Sequence, residues 1–346
     1  MSHMRRFAAL ALALAMLLAM SGCGEVERFT RQGVAMDAAV ELTAYGTDCS
    51  SALDAAERVI VALESALDPE LPGSTLYSIN HSVSGGVSVV GQAAEILETA
   101  ETVYSMSSGA LDITVYPLVK AWGMTNAQYR VPSDNEIASI RQSLGFDKVG
   151  VSRMSDTDSV LVTVPAGTEL TFAALARGCA AKYAAQAMAA EGAESGLVSI
   201  GSSIQTLGLR PDGTNWLVAI QDPENTSENA AIISVGQTAV ATTGGYQRYF
   251  TGSEGEIYSH IFDPDTGRPV DSDLLSATAV AADGTYADAL STALYVLGEN
   301  AARRLYQNSD DFEMVLITDD GRLIVSGGLA DGFEPSGDRT VEFVRR

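Results

Sequence analysis

Two hydrophobic periods, one near 3.6 residues and one of 2, take turns along this chain and outline its elements. Residues 36–44 alternate loosely and end in Tyr45–Gly46, which predicts a strand running into a turn. Asp48 is placed to cap a helix, and apolar residues at helical spacing carry that helix to about residue 67. An amphipathic helix is predicted over 93–107, and further helices over 135–144 with Gly145 as its stop, over 174–190, and over 286–297 with Gly298 at the C-terminal end. The 174–190 stretch is alanine-rich, so that helix is expected to pack closely against a neighbour. Strand-like runs occupy 160–164, 197–200, 216–220, 232–235, 256–262, 276–282, 313–318 and 323–326. Helices and strands are interspersed without regular alternation. That predicts an α+β fold, with mixed or antiparallel sheets, over a doubly wound one. No Gly-x-Gly-x-x-Gly follows a strand, and no repeat of solenoid spacing occurs.

The first residues follow neither period. Arg5 and Arg6 precede an uninterrupted apolar run over 7–20, too short to span a bilayer comfortably, which ends in Met20-Ser21-Gly22-Cys23. Small residues immediately before a cysteine resemble the bacterial lipoprotein signal, in which Cys23 is lipidated and becomes the first mature residue. An ordinary secretory signal with an incidental cysteine is the alternative. The expected organisation is a signal peptide over 1–22, a polar tether over 23–35 and one domain over 36–343.

Composition narrows the possible partners. The chain has 346 residues, 46% of them hydrophobic, enough for one large domain or two intimate ones. Its formal charge is −23, so nucleic acid is excluded as a natural partner. An anionic ligand would need a helix N-terminus or a metal ion to be welcome. Beyond Cys23 only Cys49 and Cys179 remain, with no Cys-x-x-Cys, so zinc and redox chemistry have no support. Cys179 reads as a small core residue.

Asp288 and Thr292 stand four residues apart in a helical stretch and therefore share a face. A carboxylate and a hydroxyl presented together suit Mg²⁺ completed by waters and a substrate phosphate. The alternative is a carboxylate offsetting the helix dipole beside a buried threonine. His260 lies in Tyr258-Ser259-His260-Ile261-Phe262, followed by the turn composition Asp263-Pro264-Asp265-Thr266-Gly267. A lone strand histidine can also be a satisfied polar group. A Ser–His–Asp hydrolase is disfavoured, because no Gly-x-Ser-x-Gly is present and Ser259 and His260 face opposite ways on a strand. Residues 110–123 mix aromatic side chains with one acid, Asp112, and could line a pocket for a flat ring or pack into the core.

Taken together these segments resemble the ApbE family, the FAD:protein FMN transferases. The series runs in family order through Met36-Asp37-Ala38, Ser74 to Asn80, Leu111-Asp112-Ile113-Thr114-Val115, Trp122-Gly123, Thr242-Thr243-Gly244-Gly245-Tyr246, Tyr258-Ser259-His260 and Ala287-Asp288-Ala289-Leu290-Ser291-Thr292. The resemblance implies cleavage of the FAD pyrophosphate and transfer of FMN to a threonine hydroxyl of an acceptor protein, with release of AMP. It implies Mg²⁺ held by Asp288, Thr292 and the backbone carbonyl of Ala174. His260 would stand beside the transferred phosphate, and Met36, Ala110, Leu111, Asp112, Thr171, Arg177 and Ile261 would contact FAD. Members are commonly lipoproteins, which implies lipid anchoring at the extracytoplasmic face of the bacterial cell membrane. Two stretches depart from the family pattern. In Thr171-Phe172-Ala173-Ala174-Leu175-Ala176-Arg177-Gly178 an acid has become Thr171, a glycine Ala173 and a lysine Arg177. In Ser199-Ile200-Gly201-Ser202-Ser203-Ile204 the family typically shows Asn-Leu-Gly-Gly-Asn-Ile. Both departures are expected on the nucleotide side of the site. They leave open a catalytically degenerate FAD-binding lipoprotein, or a pyrophosphatase that gives FMN and AMP.

Overall fold

The structure, a computed structural model, describes residues 26–82, 85–155 and 158–346. The expected signal peptide and Cys23 lie outside the described residues. Seven helices are described: α1 (Ser50–Leu67), α2 (Thr75–Asn80), α3 (Gly91–Met106), α4 (Tyr116–Ala121), α5 (Asp134–Arg141), α6 (Ala176–Ala190) and α7 (Gly284–Gln307). The strands before residue 210 are β1 (Glu27–Ala35), β2 (Ala38–Gly46), β3 (Val87–Val90), β4 (Gly150–Arg153), β5 (Ser159–Thr163), β6 (Ser195–Ile200) and β7 (Ser203–Leu207). After it come β8 (Trp216–Gln221), β9 (Asn229–Val235), β10 (Ala239–Thr243), β11 (Tyr249–Thr251), β12 (Ile257–Ser259), β13 (Phe262–Asp263) and β14 (Arg268–Pro269). The last are β15 (Leu274–Ala281), β16 (Phe312–Thr318), β17 (Arg322–Ser326), β18 (Phe333–Pro335) and β19 (Thr340–Val344).

A nine-stranded sheet in the order β1-β2-β6-β7-β10-β15-β16-β17-β19 forms the middle layer, antiparallel except for the β17–β19 pair. Alternate residues of its strands serve different cores. Ala239, Ala241, Ala277, Ala279, Met314 and Leu316 face the helices. Val240, Val280, Val315 and Ile317 face the small sheet β18-β9-β8, with Trp216, Val218 and Ile233. The α+β expectation holds, and the period of 2 in 276–282 becomes a strand buried on both faces.

Small residues on the helix-facing side let α6 and α7 approach the sheet and each other. At their crossing the backbones touch. A Cβ on Gly178 would stand 2.0 Å from the Gly284 carbonyl oxygen, and one on Gly284 would stand 2.4 Å from the Gly178 oxygen. No other residue fits either position without moving a helix. The N-terminus of α7 is capped by Asp283, whose side chain accepts from the Tyr286 amide. Asp283 is also tied by Lys182 of α6 (2.5 Å), which reaches Glu95 of α3 as well (2.6 Å).

Several predicted elements change on folding. Residues 27–35, assigned to the tether, form β1 and pair along their whole length with β2, so the folded domain begins inside the predicted tether. Met36 and Asp37, expected to open a strand, make the two-residue turn between β1 and β2 with φ of 53° and 55°. The run 256–262 is interrupted: β12 ends at Ser259 and β13 begins at Phe262. The helix expected to stop at Gly298 continues to Gln307 across a kink, where Gly298 has φ 71° and ψ 175° and the Asp273 side chain accepts from the Glu299 amide (2.9 Å).

The glycine crossing generates the first prediction. Gly284→Ala should destabilise the domain by about 1–3 kcal/mol or more, as overpacking a closed contact does. Denaturant unfolding with an unchanged m-value would register it; a loss below about 0.5 kcal/mol, the level of an ordinary surface change, would contradict the contact.

Candidate active site

One cavity of about 1450 Å³ opens where α6, α7, β10 and the break between β12 and β13 meet. It is lined by every site residue read from the sequence within the described range: Met36, Ala110, Leu111, Asp112, Thr171, Ala174, Arg177, His260, Ile261, Asp288 and Thr292.

Asp288 is buried on the second turn of α7. The Gly178 amide donates to its Oδ2 (2.9 Å) and the Ser203 hydroxyl to its Oδ1 (2.9 Å). Burial pushes its pKa up to about 6, against the lowering effects of the Gly178 amide, Arg177 and Ser203. The Gly178 amide is one of the first in α6, a helix with no side-chain cap of its own. Asp288 therefore supplies from α7 a partner that α6 lacks. The N-terminal end of α6 faces the cavity through Ala176 and Arg177, an arrangement suited to an anion.

Thr292 lies one turn further on the same face, as its spacing requires. A chain of hydroxyls orients it. Ser291 Oγ donates to the Asp288 carbonyl (2.8 Å), so in its 2.8 Å contact with Thr243 Oγ1 it must accept. The single proton of Thr243 is thus used, and Thr292 donates to Thr243 across 3.2 Å. The Thr292 oxygen accepts no hydrogen bond in this arrangement among the described residues, and Thr292 lines the cavity. One carboxylate and one hydroxyl oxygen with free lone pairs, beside the Ala174 backbone, form a hard-oxygen donor set that fits Mg²⁺ completed by phosphate oxygens and water.

His260 stands where the strand breaks. Its backbone amide donates to the Arg248 carbonyl (3.1 Å), and its Nδ1 lies 3.0 Å from the same oxygen. A carbonyl only accepts, so Nδ1 carries the proton and Nε2 is left with a free lone pair. Desolvation, opposed by the hydrogen bond to Arg248 and reinforced by the charges of Arg248 and Arg177, lowers its pKa to about 4. The ring is neutral at physiological pH. Arg177 makes no hydrogen bond or ion pair among the described residues, although its charge reaches both Asp288 and His260. In a chain of charge −23, an uncommitted guanidinium in a cavity is a site for an anion.

In the altered stretches, Ser203 hydrogen-bonds the Asp288 carboxylate and the Arg177 charge reaches it. Thr171 does locally what an acid would do: its hydroxyl accepts from the Ala173 amide (3.3 Å), and its own amide is fixed by the Ile113 carbonyl (2.8 Å). The 110–123 segment divides. Ala110 to Ile113, Tyr116 and Val119 line the cavity, while Leu118 and Trp122 are core. The Asp112 carboxyl turns inward and accepts from the Thr114 amide (2.8 Å) and hydroxyl (2.7 Å). Met36 reaches the cavity from its left-handed turn, held by its amide donating to Glu64 Oε1 (2.6 Å). Sequence reasoning assigned no role to Thr243 or Glu64; the position of Thr243 in Thr-Thr-Gly-Gly was the only signal, and Glu64 had none.

A profile of the ApbE family matches residues 36–316. The FAD:protein FMN transferase of Escherichia coli K12 is 30% identical over 284 residues, covering 80% of each chain. That of Vibrio cholerae is 29% identical over 320 residues, covering 89% of this chain and 94% of the relative. Among solved structures, the ApbE protein of Thermotoga maritima superposes with a TM-score of 0.81 at 25% identity, covering 88% of this chain and 99% of that one. The flavin transferase ApbE of Vibrio cholerae gives 0.76 at 26% identity, covering 89% and 99%.

Between pH 6.5, the ordinary histidine value, and about 4, the unfolded chain binds a proton at residue 260 that the folded chain refuses. The stability contributed by neutral His260 is therefore complete above 6.5 and is lost as pH falls toward 4. Histidine NMR should show a His260 midpoint near 4 and an Nδ1-protonated tautomer; a midpoint near 6.5 or an Nε2-protonated ring would contradict the assignment.

Proposed function

The chain belongs to the ApbE family, and we propose that its cavity binds FAD, breaks the pyrophosphate and transfers the FMN half to a threonine hydroxyl of an acceptor protein. The observation that carries this reading is the meeting, in one cavity, of a neutral histidine with a free Nε2, an uncommitted arginine and the Asp288–Thr292 donor pair.

In this reading the acceptor oxygen attacks the phosphorus of the FMN half. A phosphoester bond forms, the bond from that phosphorus to the bridging oxygen breaks, and AMP leaves with the oxygen. His260 Nε2 accepts the proton of the acceptor hydroxyl. Its low pKa leaves it unprotonated and available, though a weak base, so positioning contributes more than basicity. Arg177 and the amides at the start of α6 balance phosphate charge. Asp288, Thr292 and the Ala174 carbonyl would hold Mg²⁺, which supplies charge neutralisation at the pyrophosphate.

The degenerate alternative drew support from Thr171, Ala173 and Ser203. Ser203 orients the buried carboxylate and Thr171 keeps its turn, so two of the three argue for a working site. The amino-terminal sequence supports a further part of the proposal: lipidation at Cys23 and residence at the extracytoplasmic face of the cell membrane, with the domain held close to the bilayer.

The transfer reading is tested by incubating the domain with FAD and Mg²⁺, with and without a threonine-bearing acceptor. Flavin on the acceptor that survives denaturation is the expected result. AMP without bound flavin would establish hydrolysis instead, and retained FAD with neither product would establish binding alone. Asp288→Ala should abolish the Mg²⁺ dependence together with activity. Ser203→Ala should raise the Mg²⁺ concentration needed for half-maximal rate by about 10-fold, the scale on which metal-orienting partners act; an unchanged requirement would remove Ser203 from that role.

A further inference from the structure

We propose that the acceptor protein docks by adding an extended strand to the free edge of β8; this rests on the transferase reading above. A threonine hydroxyl is separated from its own backbone by a single carbon. It reaches a phosphorus inside the cavity only if the acceptor main chain runs along the cavity rim.

Among the described residues, β8 is the longest outer strand that lines the cavity. β8 is the outer strand of the β18-β9-β8 sheet, and Val218, Ala219 and Gln221 on it line the cavity. The register shows which of its backbone groups are free. The Ser336 amide donates to the Ala230 carbonyl, so the even-numbered residues of β9 from Ala230 onward turn their hydrogen-bonding groups toward β18. Ala231, Ile233 and Val235 then turn theirs toward β8, where they pair with Ile220, Val218 and Trp216. Leu217 and Ala219 are left with amide and carbonyl directed outward.

This edge also lacks the usual protection. Outer strands normally carry charges or proline that discourage pairing. β1 carries Glu27, Arg28 and Arg31, β18 carries Glu334 and Pro335, and β19 carries Glu342. β8 reads Trp-Leu-Val-Ala-Ile-Gln, with neither, and Leu217 is 62% exposed. An unguarded edge continuous with a reaction cavity matches strand addition, in which backbone bonds supply affinity and alternate side chains supply selectivity. A strand beside β8 would present every second side chain toward the cavity, one of them the reacting threonine.

The test uses the whole domain with FAD, Mg²⁺ and a pool of short capped peptides that share one central threonine between mixed flanks. Leu217→Pro removes one outward amide and leaves the β8–β9 ladder intact; Leu217→Val keeps the amide. Flavin on peptide and AMP released without peptide are read separately. Leu217→Pro should raise the peptide KM by about 10-fold, as loss of a backbone hydrogen bond does, while Leu217→Val stays near wild type. Release of AMP without peptide should be unchanged in both. Peptide transfer by Leu217→Pro at the wild-type KM would overturn the docking while leaving the transferase reading intact. FAD cleavage by the wild type with no peptide labelled would overturn both. A wild-type dimer that Leu217→Pro dissolves would assign the edge to a second copy of the chain instead.

Discussion

A carboxylate buried away from water carries a large desolvation cost unless its neighbours offset it, and Asp288 is the group around which this molecule is arranged. Its oxygens are met by the amide of Gly178 on α6 and the hydroxyl of Ser203 on β7, with Arg177 close enough to favour its ionised form. Those partners come from separate stretches of chain. Each is placed by a different constraint: Gly178 by its backbone contact with Gly284, Ser203 by the β6–β7 pairing, and Asp288 itself by the capped start of α7. The balance is incomplete, since burial still raises the carboxyl pKa. In the proposed metal site, a cation beside Asp288 would offset the remainder.

The same economy appears elsewhere in the cavity. His260 is kept neutral by burial and by the nearby arginines, and its tautomer is set by a backbone carbonyl rather than by a carboxylate. Thr292 is aimed by Thr243 and Ser291. The acidic surface of the chain supplies none of these orienting contacts. Local positive charge comes from Arg177, Arg248 and the first turn of α6, so the field at the site opposes the net charge of the protein.

Much of this was legible in the chain, for identifiable reasons. The helices over 48–67 and 93–107 announced themselves because each buries one face, which leaves a period near 3.6, and the one over 174–190 because it is alanine-rich. Asp288 and Thr292 were legible because four residues on a helix bring side chains together whatever surrounds them. β1 was not, because an edge strand needs only a partner and tolerates polar residues throughout; Glu27 to Ala35 has almost no buried position. The break at His260 was hidden because Ile261 and Phe262 are as apolar as a continuing strand would be. Ser203 looked like a loss when set beside the family pattern, since its value lies in a contact with a residue far along the chain. The resemblance identified the participants, while the directions of the hydroxyls and amides came only from their surroundings.

The kink at Gly298 makes α7 two helices laid end to end. The first carries Asp288 and Thr292; the second is capped afresh by Asp273 and bound through Glu299 and Arg303 to Arg322 and Glu342 on the far strands. The reactive portion and the distal portion are thus anchored to different parts of the protein, with a flexible-residue joint between them. The directions of Asp288 and Thr292 are therefore set by the first helix's own contacts with Gly178, Ser203 and Thr243, while the ion pairs to β17 and β19 hold the second.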